Sequence, residues 1–220
     1  MPWSKFTRSR KPRTTPVQRP RETVLRRLNR WQAEEQREDL ADLYVECCPS
    51  KPGQEFPLRE AFIERLVADA RTPGFSMRVA ETATLTGFAF GVPLERDGSW
   101  WQGFEGVLPQ YLEQLTASGH VFAISELVVH PYAREHGVAS RLVERVLADN
   151  QASLAVTLVD QADPVINAAL QSWGWRRIGL ARSGPGTGRL RVMVLPLAGR
   201  SGSEPGALVH NTHTQRPRVT

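Results

Sequence analysis

The chain has 220 residues, of which 40% are hydrophobic and 8% aromatic, enough for one domain of average size with its own core. No apolar run approaches the ~20 residues that span a bilayer, and the basic N-terminus lacks the apolar segment of a secretory signal. We therefore expect a cytoplasmic protein with no membrane partner. The two cysteines, Cys47 and Cys48, are neighbours in a predicted helix where their side chains diverge, so we expect no mutual disulfide.

Positive charge is concentrated at the N-terminus. Residues 1–30 hold ten Lys or Arg and one acid, Glu22, for a net charge of +9, whereas the whole chain is +5 and residues 31–220 therefore sum to −4. We predict a basic disordered arm over residues 1–22, one domain over residues 23–198 and a disordered tail over residues 199–220. The arm is able to contact nucleic-acid phosphates, but such arms are more often solvated, and nucleic acid is not the expected partner.

The first half of the predicted domain holds helices followed by a strand pair. Residues 23–30 fit either a strand or the start of a helix. Apolar residues at helical spacing predict helices over residues 32–48 and 58–70. Residues 75–80 and 85–92 predict two paired strands around a short polar turn.

A long connection over residues 93–119 carries Trp100 and Trp101. Long connections inside compact domains are often binding loops, which makes both tryptophans candidate substrate-binding residues. The alternative is that they cap an exposed edge of the core while residues 106–118 form a packing helix.

Residues 121–129 predict a buried strand interrupted by one carboxylate, Glu126. Simple alternation puts Ile124, Glu126 and Val128 on one face, so the carboxylate is embedded among apolar side chains. Partial burial raises the pKa of such a group toward the range of a general base.

The turn that follows the strand carries the most information about function. Arg134, Gly137 and Ala139 stand between the strand and an amphipathic helix that starts at about Gly137. A strand-to-helix turn presents free backbone N–H groups, a glycine lets the main chain approach a phosphate, and a small Ala keeps the next position open. We call residues 134–140 the phosphate turn and predict that it binds a pyrophosphate.

The last part of the predicted domain begins with a strand over residues 153–160 and a helix over residues 163–173. Asp163 precedes a proline at the first helical position, which favours a capped helix start. Residues 176–181 and 189–195 predict two closing strands.

Residues 125–139 resemble the acetyl-coenzyme A signature of the GNAT superfamily of N-acetyltransferases, whose pattern is Arg or Gln, two residues, Gly, one residue, then Gly or Ala. Residues 167–175 are similar to the late helix of that family and its aromatic-Gly-aromatic turn. The resemblance implies an α/β (α+β) three-layer fold, with a twisted mixed sheet of about six or seven strands flanked by helices and disordered tails outside it.

The resemblance also implies acetyl-CoA as donor substrate and no metal. The acetyl-pantetheine arm would contact the main chain of Leu127, Val128 and Val129, on a strand opened by a bulge. The pyrophosphate would contact mainly N–H groups of the phosphate turn, Arg134, Glu135, His136, Gly137, Val138, Ala139 and Ser140, with Asp163 as a further cofactor contact.

The reaction of that family needs a base, because an amine with a pKa of about 10.4 is mostly protonated near neutral pH. Glu126 is the candidate catalytic base; the alternatives are a structural carboxylate or one that only attracts the acceptor amine. Many members carry a Tyr in the late helix that protonates the leaving thiolate, whereas this chain has Leu170. The general acid is therefore unassigned, with solvent or Tyr132 as alternatives.

The predicted function is acetyl-CoA-dependent N-acetyl transfer to a primary amine of a small molecule or peptide, by direct attack in a ternary complex. The alternatives are a non-catalytic acyl-CoA-binding regulatory module and a nucleic-acid binder acting through the basic arm. His130 and His136 stand six residues apart with no nearby cluster of ligands, so a metal site is not expected. The acceptor and the oligomeric state, including a homodimer, are left open.

Overall fold

The structure is a computed structural model that describes residues 22–48, 53–182 and 188–197, without the side chain of Glu135. The predicted tail and all of the predicted arm except Glu22 lie outside the described residues. The prediction that both are disordered therefore stays a prediction.

Seven strands and six helices make up the described part of the chain. The strands are β1 (Val24–Leu28), β2 (Ser76–Glu81), β3 (Leu85–Pro93), β4 (Val121–Val129), β5 (Leu154–Asp160), β6 (Arg176–Arg182) and β7 (Arg189–Pro196). The helices are α1 (Arg30–Glu35), α2 (Arg37–Cys47), α3 (Glu55–Arg71), α4 (Gln110–Ala117), α5 (Val138–Ala148) and α6 (Pro164–Ser172). Two short 3-10 segments lie at Ser99–Trp101 and Pro131–His136.

The strands form one mixed sheet in the order β1-β2-β3-β4-β5-β7-β6. All neighbours are antiparallel except β4 and β5, which are parallel. A parallel pair needs a crossover connection, and α5 provides it. The predicted mixed sheet of six or seven strands flanked by helices is confirmed.

The helices cover both faces of the sheet and give the fold its three layers. On one face, α5 and Leu170 of α6 pack against inward side chains such as Phe122 and Ala155. On the other face, α1, α2 and α3 cover β2 and β3 around Phe62 and Phe88. Further along that same face, α4 covers the start of β4 and β5.

The first elements of the domain decide one open alternative and correct one sequence interpretation. Residues 23–30 hold a strand, and the single helix predicted over residues 32–48 is wrong, because the structure has two helices that meet at Gln36. The signal for the first helix is a capping box, in which Asn29 accepts a hydrogen bond from the N–H of Gln32 and the Gln32 side chain accepts one from the N–H of Asn29. The first helix therefore starts at Arg30, two residues earlier than predicted.

Strand β4 contains a bulge that changes which residues share a face. Gly91 pairs with Ile124 and the neighbouring Phe90 pairs with Glu126, so Ser125 is the extra residue on β4. The alternation is therefore reversed beyond Ser125: Ile124 packs in the core beneath α5, whereas Val128 packs in the core beneath α2 and α3. The prediction that Ile124, Glu126 and Val128 share one face is wrong for Ile124.

Candidate functional site

A fork between β4 and β5 forms the centre of the candidate site. The parallel pairing covers only Val121–Ala123 against Leu154–Val156. Beyond that point the Thr157 hydroxyl donates a hydrogen bond of 3.0 Å to the carbonyl oxygen of Ile124. Both strands continue past this bond without pairing to each other, so a gap opens toward their carboxyl ends.

Main-chain groups of β4 line this fork. The N–H of His130 donates to the carbonyl of Thr86 at 2.8 Å, and hydrogen-bonded pairs alternate along an antiparallel ladder. The main-chain groups of Val128 are thus directed toward β3, and those of Leu127 and Val129 toward the fork. Consistent with this, Nε of Arg134 donates to the carbonyl oxygen of Val129 at 3.2 Å. The side chain of Val129 is buried, so this residue offers only main-chain atoms to the fork, whereas the buried Val128 uses its main chain to pair with β3.

The phosphate turn adopts the geometry expected of an anion site. The 3-10 segment Pro131–His136 ends at Gly137, which has a left-handed φ of 63°, and α5 begins at Val138. The first N–H groups of α5 have no acceptor within the helix, whereas the N–H of Arg141 already donates to the carbonyl of Gly137 at 3.2 Å. The Ser140 hydroxyl donates to the same carbonyl at 3.0 Å, so Ser140 offers its N–H rather than its side chain.

The residues of the phosphate turn fit a pyrophosphate. A Cβ placed on Gly137 would meet no atom closer than Oγ of Ser140 at 3.8 Å, so an anion is able to approach the main chain there. Val138 is fully buried beneath the turn and anchors it, while His136 and Gly137 are exposed. The Arg134 side chain adds a positive charge at the end of the fork.

The start of α6 follows the end of β5 directly along the chain. Asp163 caps this helix, because its Oδ1 accepts hydrogen bonds from the N–H groups of Val165 at 3.0 Å and Ile166 at 2.9 Å. Nδ2 of Asn167, which is 4% exposed, donates to the carbonyls of Asp160 and Asp163. The predicted cap is thus present, whereas a cofactor contact by Asp163 stays a prediction.

Glu126 lies beside the fork, on the face covered by α2 and α3. Its side chain is 21% exposed and its Oε2 accepts a hydrogen bond from Nη2 of Arg65 at 3.3 Å. Burial raises the pKa of the Glu126 carboxyl above its ordinary value, and the neighbouring Arg65 charge opposes this only in part. A carboxylate with a raised pKa in a partly desolvated position is suited to accept a proton near neutral pH.

Side chains from the two helices complete the surroundings of Glu126. Nη2 of Arg65 also donates to the Tyr44 hydroxyl at 3.2 Å, and burial raises the pKa of Tyr44 to about 12, so the phenol is neutral. Burial raises the pKa values of Asp69 and Cys48 as well. The sequence did not indicate that these residues surround Glu126. Their only local signal is the spacing of four between Arg65 and Asp69, which places both on one face of α3.

The two tryptophans of the long connection differ in burial. Trp101 is 7% exposed, and its indole N–H donates to Oγ1 of Thr116 at 3.0 Å. Its ring lies edge-on to Trp100, with ring centroids 4.6 Å apart, and Trp100 is half-buried. Trp101 thus fixes α4 to the sheet as a packing residue. Acceptor binding by Trp100 and Trp101 stays a prediction.

The remaining candidates form no further centre among the described residues. His130 contacts Glu46 of α2 through its Nε2 at 3.1 Å, and Leu170 is buried in the core beneath α5. Cys47 and Cys48 are free thiols. Within the described ranges, no group of three or more His, Cys, Asp or Glu side chains could hold a metal ion. No helix in the described part of the chain combines the length and apolarity needed to cross a membrane.

Comparison of the fold with solved structures finds acetyltransferases. One is a protein of the GNAT family of acetyltransferases from Desulfovibrio desulfuricans, with 12% identity, a TM-score of 0.54 and coverage of 80% of this chain and 100% of that one. Another is the PaiA N-acetyltransferase from Thermoplasma acidophilum in complex with coenzyme A, with 14% identity, a TM-score of 0.53 and coverage of 80% and 99%.

A third similar structure is the acetyltransferase-like protein yncA from Salmonella typhimurium with its cofactor acetyl-CoA, with 14% identity, a TM-score of 0.50 and coverage of 84% and 99%. No family model and no curated protein matches the chain by sequence. At such low identities the likeness shows the fold alone. The chain has the GNAT fold, which confirms at the level of the fold the resemblance predicted from the phosphate turn.

Proposed function

We propose that the protein is an acetyl-CoA-dependent N-acetyltransferase whose acceptor is the primary amine of a small molecule or peptide. The observation that carries the proposal is the arrangement around the fork. A bulge turns Glu126 toward the face beneath α2 and α3, while the adjacent main chain of Leu127 and Val129 is directed into the gap between β4 and β5. A base and a binding edge thus stand on consecutive residues.

The donor substrate is held mainly by main-chain atoms in this proposal. The thioester arm extends along β4, where the N–H groups directed into the fork are donors for its carbonyl oxygens. The pyrophosphate lies at the phosphate turn, against the open side of Gly137 and the first N–H groups of α5. In support, two proteins of similar fold were solved with coenzyme A or acetyl-CoA bound.

The transfer itself needs one base and no covalent enzyme intermediate. Glu126 removes a proton from the ammonium form of the acceptor, the amine nitrogen attacks the thioester carbon, and the C–N bond forms as the C–S bond breaks. Coenzyme A leaves as a thiolate, and the second proton lost by the attacking nitrogen passes to it through solvent. The proton held by Glu126 is then released to solvent, so the transfer yields an amide, a thiol and one free proton. The developing negative charge on the carbonyl oxygen is stabilised by the N–H groups of the fork.

The test follows acetylated amine and free coenzyme A together, by mass spectrometry, after incubation of the full chain with acetyl-CoA and a panel of primary amines. We expect turnover with at least one amine and about 10²-fold to 10⁴-fold slower turnover in Glu126→Gln, with little change in acetyl-CoA affinity. The control is Glu64→Gln, an exposed carboxylate on α3. Unchanged turnover in Glu126→Gln would remove Glu126 as the base.

A second candidate is a non-catalytic module that binds acyl-CoA and regulates another process. The observation that favours it is Leu170, which is buried in the core. The family that the chain resembles often has a proton-donating Tyr at this position, and a leucine cannot protonate the leaving thiolate. Both candidates predict that acetyl-CoA raises the thermal stability of the protein. Only the enzyme releases coenzyme A in proportion to an added amine.

A further inference from the structure

Arg65 connects two helices to the candidate base through a single nitrogen. Its Nη2 donates both to the Tyr44 hydroxyl at 3.2 Å and to Oε2 of Glu126 at 3.3 Å. The residues come from α2, α3 and β4, so this nitrogen links the helical layer to the strand beside the fork. No other ion pair in the described part of the chain reaches Glu126.

The aromatic ring of Tyr44 fixes where the guanidinium can lie. Tyr44 is 9% exposed and stacks on Phe62, with ring centroids 4.6 Å apart and planes inclined by 20°. The Arg65 guanidinium carbon lies 5.7 Å from the centroid of the Tyr44 ring, within the range of a cation–π contact. A rigid, buried ring thus holds a cation that is itself half exposed.

The charges around Glu126 explain why this cation matters. Asp69 faces it from α3, Tyr44 faces it from α2, and Cys48 faces it from the position just after α2. The paired residue on β3 is the uncharged Phe90. Among the groups that act on the Glu126 carboxyl, Arg65 is thus the one that carries a positive charge. Burial and Asp69 both favour the protonated form of Glu126, and Arg65 acts in the opposite direction.

We propose that Arg65 is a positioning residue that holds the Glu126 carboxylate in a fixed orientation on the face of the sheet beneath α2 and α3 and supplies the charge that offsets its burial. The proposal rests on the proposed function, in which Glu126 is the base. Without Arg65 the carboxylate loses its hydrogen bond and its counter-charge together. It then holds its proton to higher pH and loses its fixed orientation.

The kinetic test compares pH profiles of kcat/KM, whose acid limb reports the ionisation of an essential base in the free enzyme. In Arg65→Gln we expect the acid limb to move to higher pH. At acidic pH kcat/KM falls about tenfold below that of the unmodified protein, and the difference narrows toward alkaline pH. Arg65→Lys keeps the charge but cannot reach both partners with one planar group. Its acid limb should therefore lie between those of Arg65→Gln and the unmodified protein.

The matched control is Arg59→Gln. Arg59 lies on the same helix and also bridges α3 to α2, through Glu38 and Asp42, away from Glu126. A loss of helix packing alone would affect both variants alike. We expect the profile of Arg59→Gln to coincide with that of the unmodified protein.

A second measurement needs no catalysis and separates the two proposals. Thermal unfolding of Arg65→Gln, Glu126→Gln and the double variant is compared with that of the unmodified protein at several pH values. We expect the Tm changes at pH 8 to be non-additive by about 2 °C and to become additive in acid, where Glu126 is protonated. If no amine is acetylated the proposed function fails, yet this cycle still decides whether Arg65 acts on Glu126. Additive Tm changes at every pH, or an acid limb unmoved in Arg65→Gln, would overturn the inference.

Discussion

The hydroxyl of Thr157 donates to the carbonyl oxygen of Ile124 across 3.0 Å, and this bond marks the point where β5 parts from β4. Strand pairing on one side of the bond fills the core, and the lack of pairing on the other side opens the fork. Ile124 is also the last residue before the bulge at Ser125. The fork and the change of face at Glu126 thus begin at one position on the strand.

Replacing Thr157 with Val is expected to loosen this point while keeping the shape of the side chain. The Ile124 carbonyl loses its partner, which costs about 1 kcal/mol and lowers Tm by about 2–4 °C. We also expect a smaller rise of Tm on addition of acetyl-CoA, because the fork is less well fixed. The control is Thr72→Val, whose exposed hydroxyl makes a longer bond of 3.4 Å to Ala68. Equal losses in both variants would contradict a special role for Thr157.

Gly137→Ala separates backbone strain from ligand binding. The left-handed φ of 63° costs an alanine about 1–2 kcal/mol, although a Cβ meets no protein atom closer than 3.8 Å. Gly53→Ala is the matched control, since Gly53 has a φ of 85° and open space around it but lies far along the chain from the phosphate turn. We expect similar losses of stability in both variants and at least about tenfold weaker acetyl-CoA binding only in Gly137→Ala, measured by calorimetry. Equal affinities would exclude the phosphate turn as the pyrophosphate site.

The raised pKa of Glu126 predicts a pH-dependent effect on stability. A carboxyl group whose pKa is higher in the folded state favours folding while it is protonated in both states. That contribution is present below the unfolded value of about 4.3 and is lost as pH rises through the folded pKa. We therefore expect Glu126→Gln to raise Tm relative to the unmodified protein at pH 7–8, with the difference shrinking toward pH 4. A Tm that is lower in the variant at pH 8 would show that the pair with Arg65 outweighs the cost of burial.

The features that the sequence predicted correctly depend on neighbouring residues. The cap at Asp163 is complete within four positions, and the passage from the strand into α5 is specified by Gly137 and the residues beside it. Pyrophosphate binding at that turn stays a prediction. The helix break at Gln36 was missed because the apolar spacing continues through both helices and the Gln36 side chain makes no capping hydrogen bond.

The surroundings of Glu126 depend on contacts that are distant in the chain. The bulge at Ser125 depends on how β4 aligns with β3, and a single-strand pattern carries no information on that alignment. Gly91 was the available sign: a Cβ there would lie 2.0 Å from the carbonyl oxygen of Ala123, so only glycine permits the close approach. Arg65 reaches Glu126 from 61 positions earlier in the chain, a separation that one sequence cannot bridge.

The two tryptophans of the long connection are expected to respond differently to substitution. Trp101→Phe removes the indole hydrogen bond to Thr116 and part of a buried ring, so we expect a loss of about 1–3 kcal/mol in stability and an unchanged KM for the amine.

Trp100 is half-buried and offers the rest of its surface to solvent on the face of the sheet that also holds Glu126. Trp100→Ala should therefore raise the KM for the amine several-fold with kcat and the KM for acetyl-CoA little changed, because only acceptor binding is weakened. Steady-state kinetics with both substrates varied, alongside thermal unfolding, checks the two variants together. If Trp100→Ala lowers Tm as Trp101→Phe does and leaves the amine KM unchanged, the connection is a packing segment and the acceptor binds elsewhere along the fork.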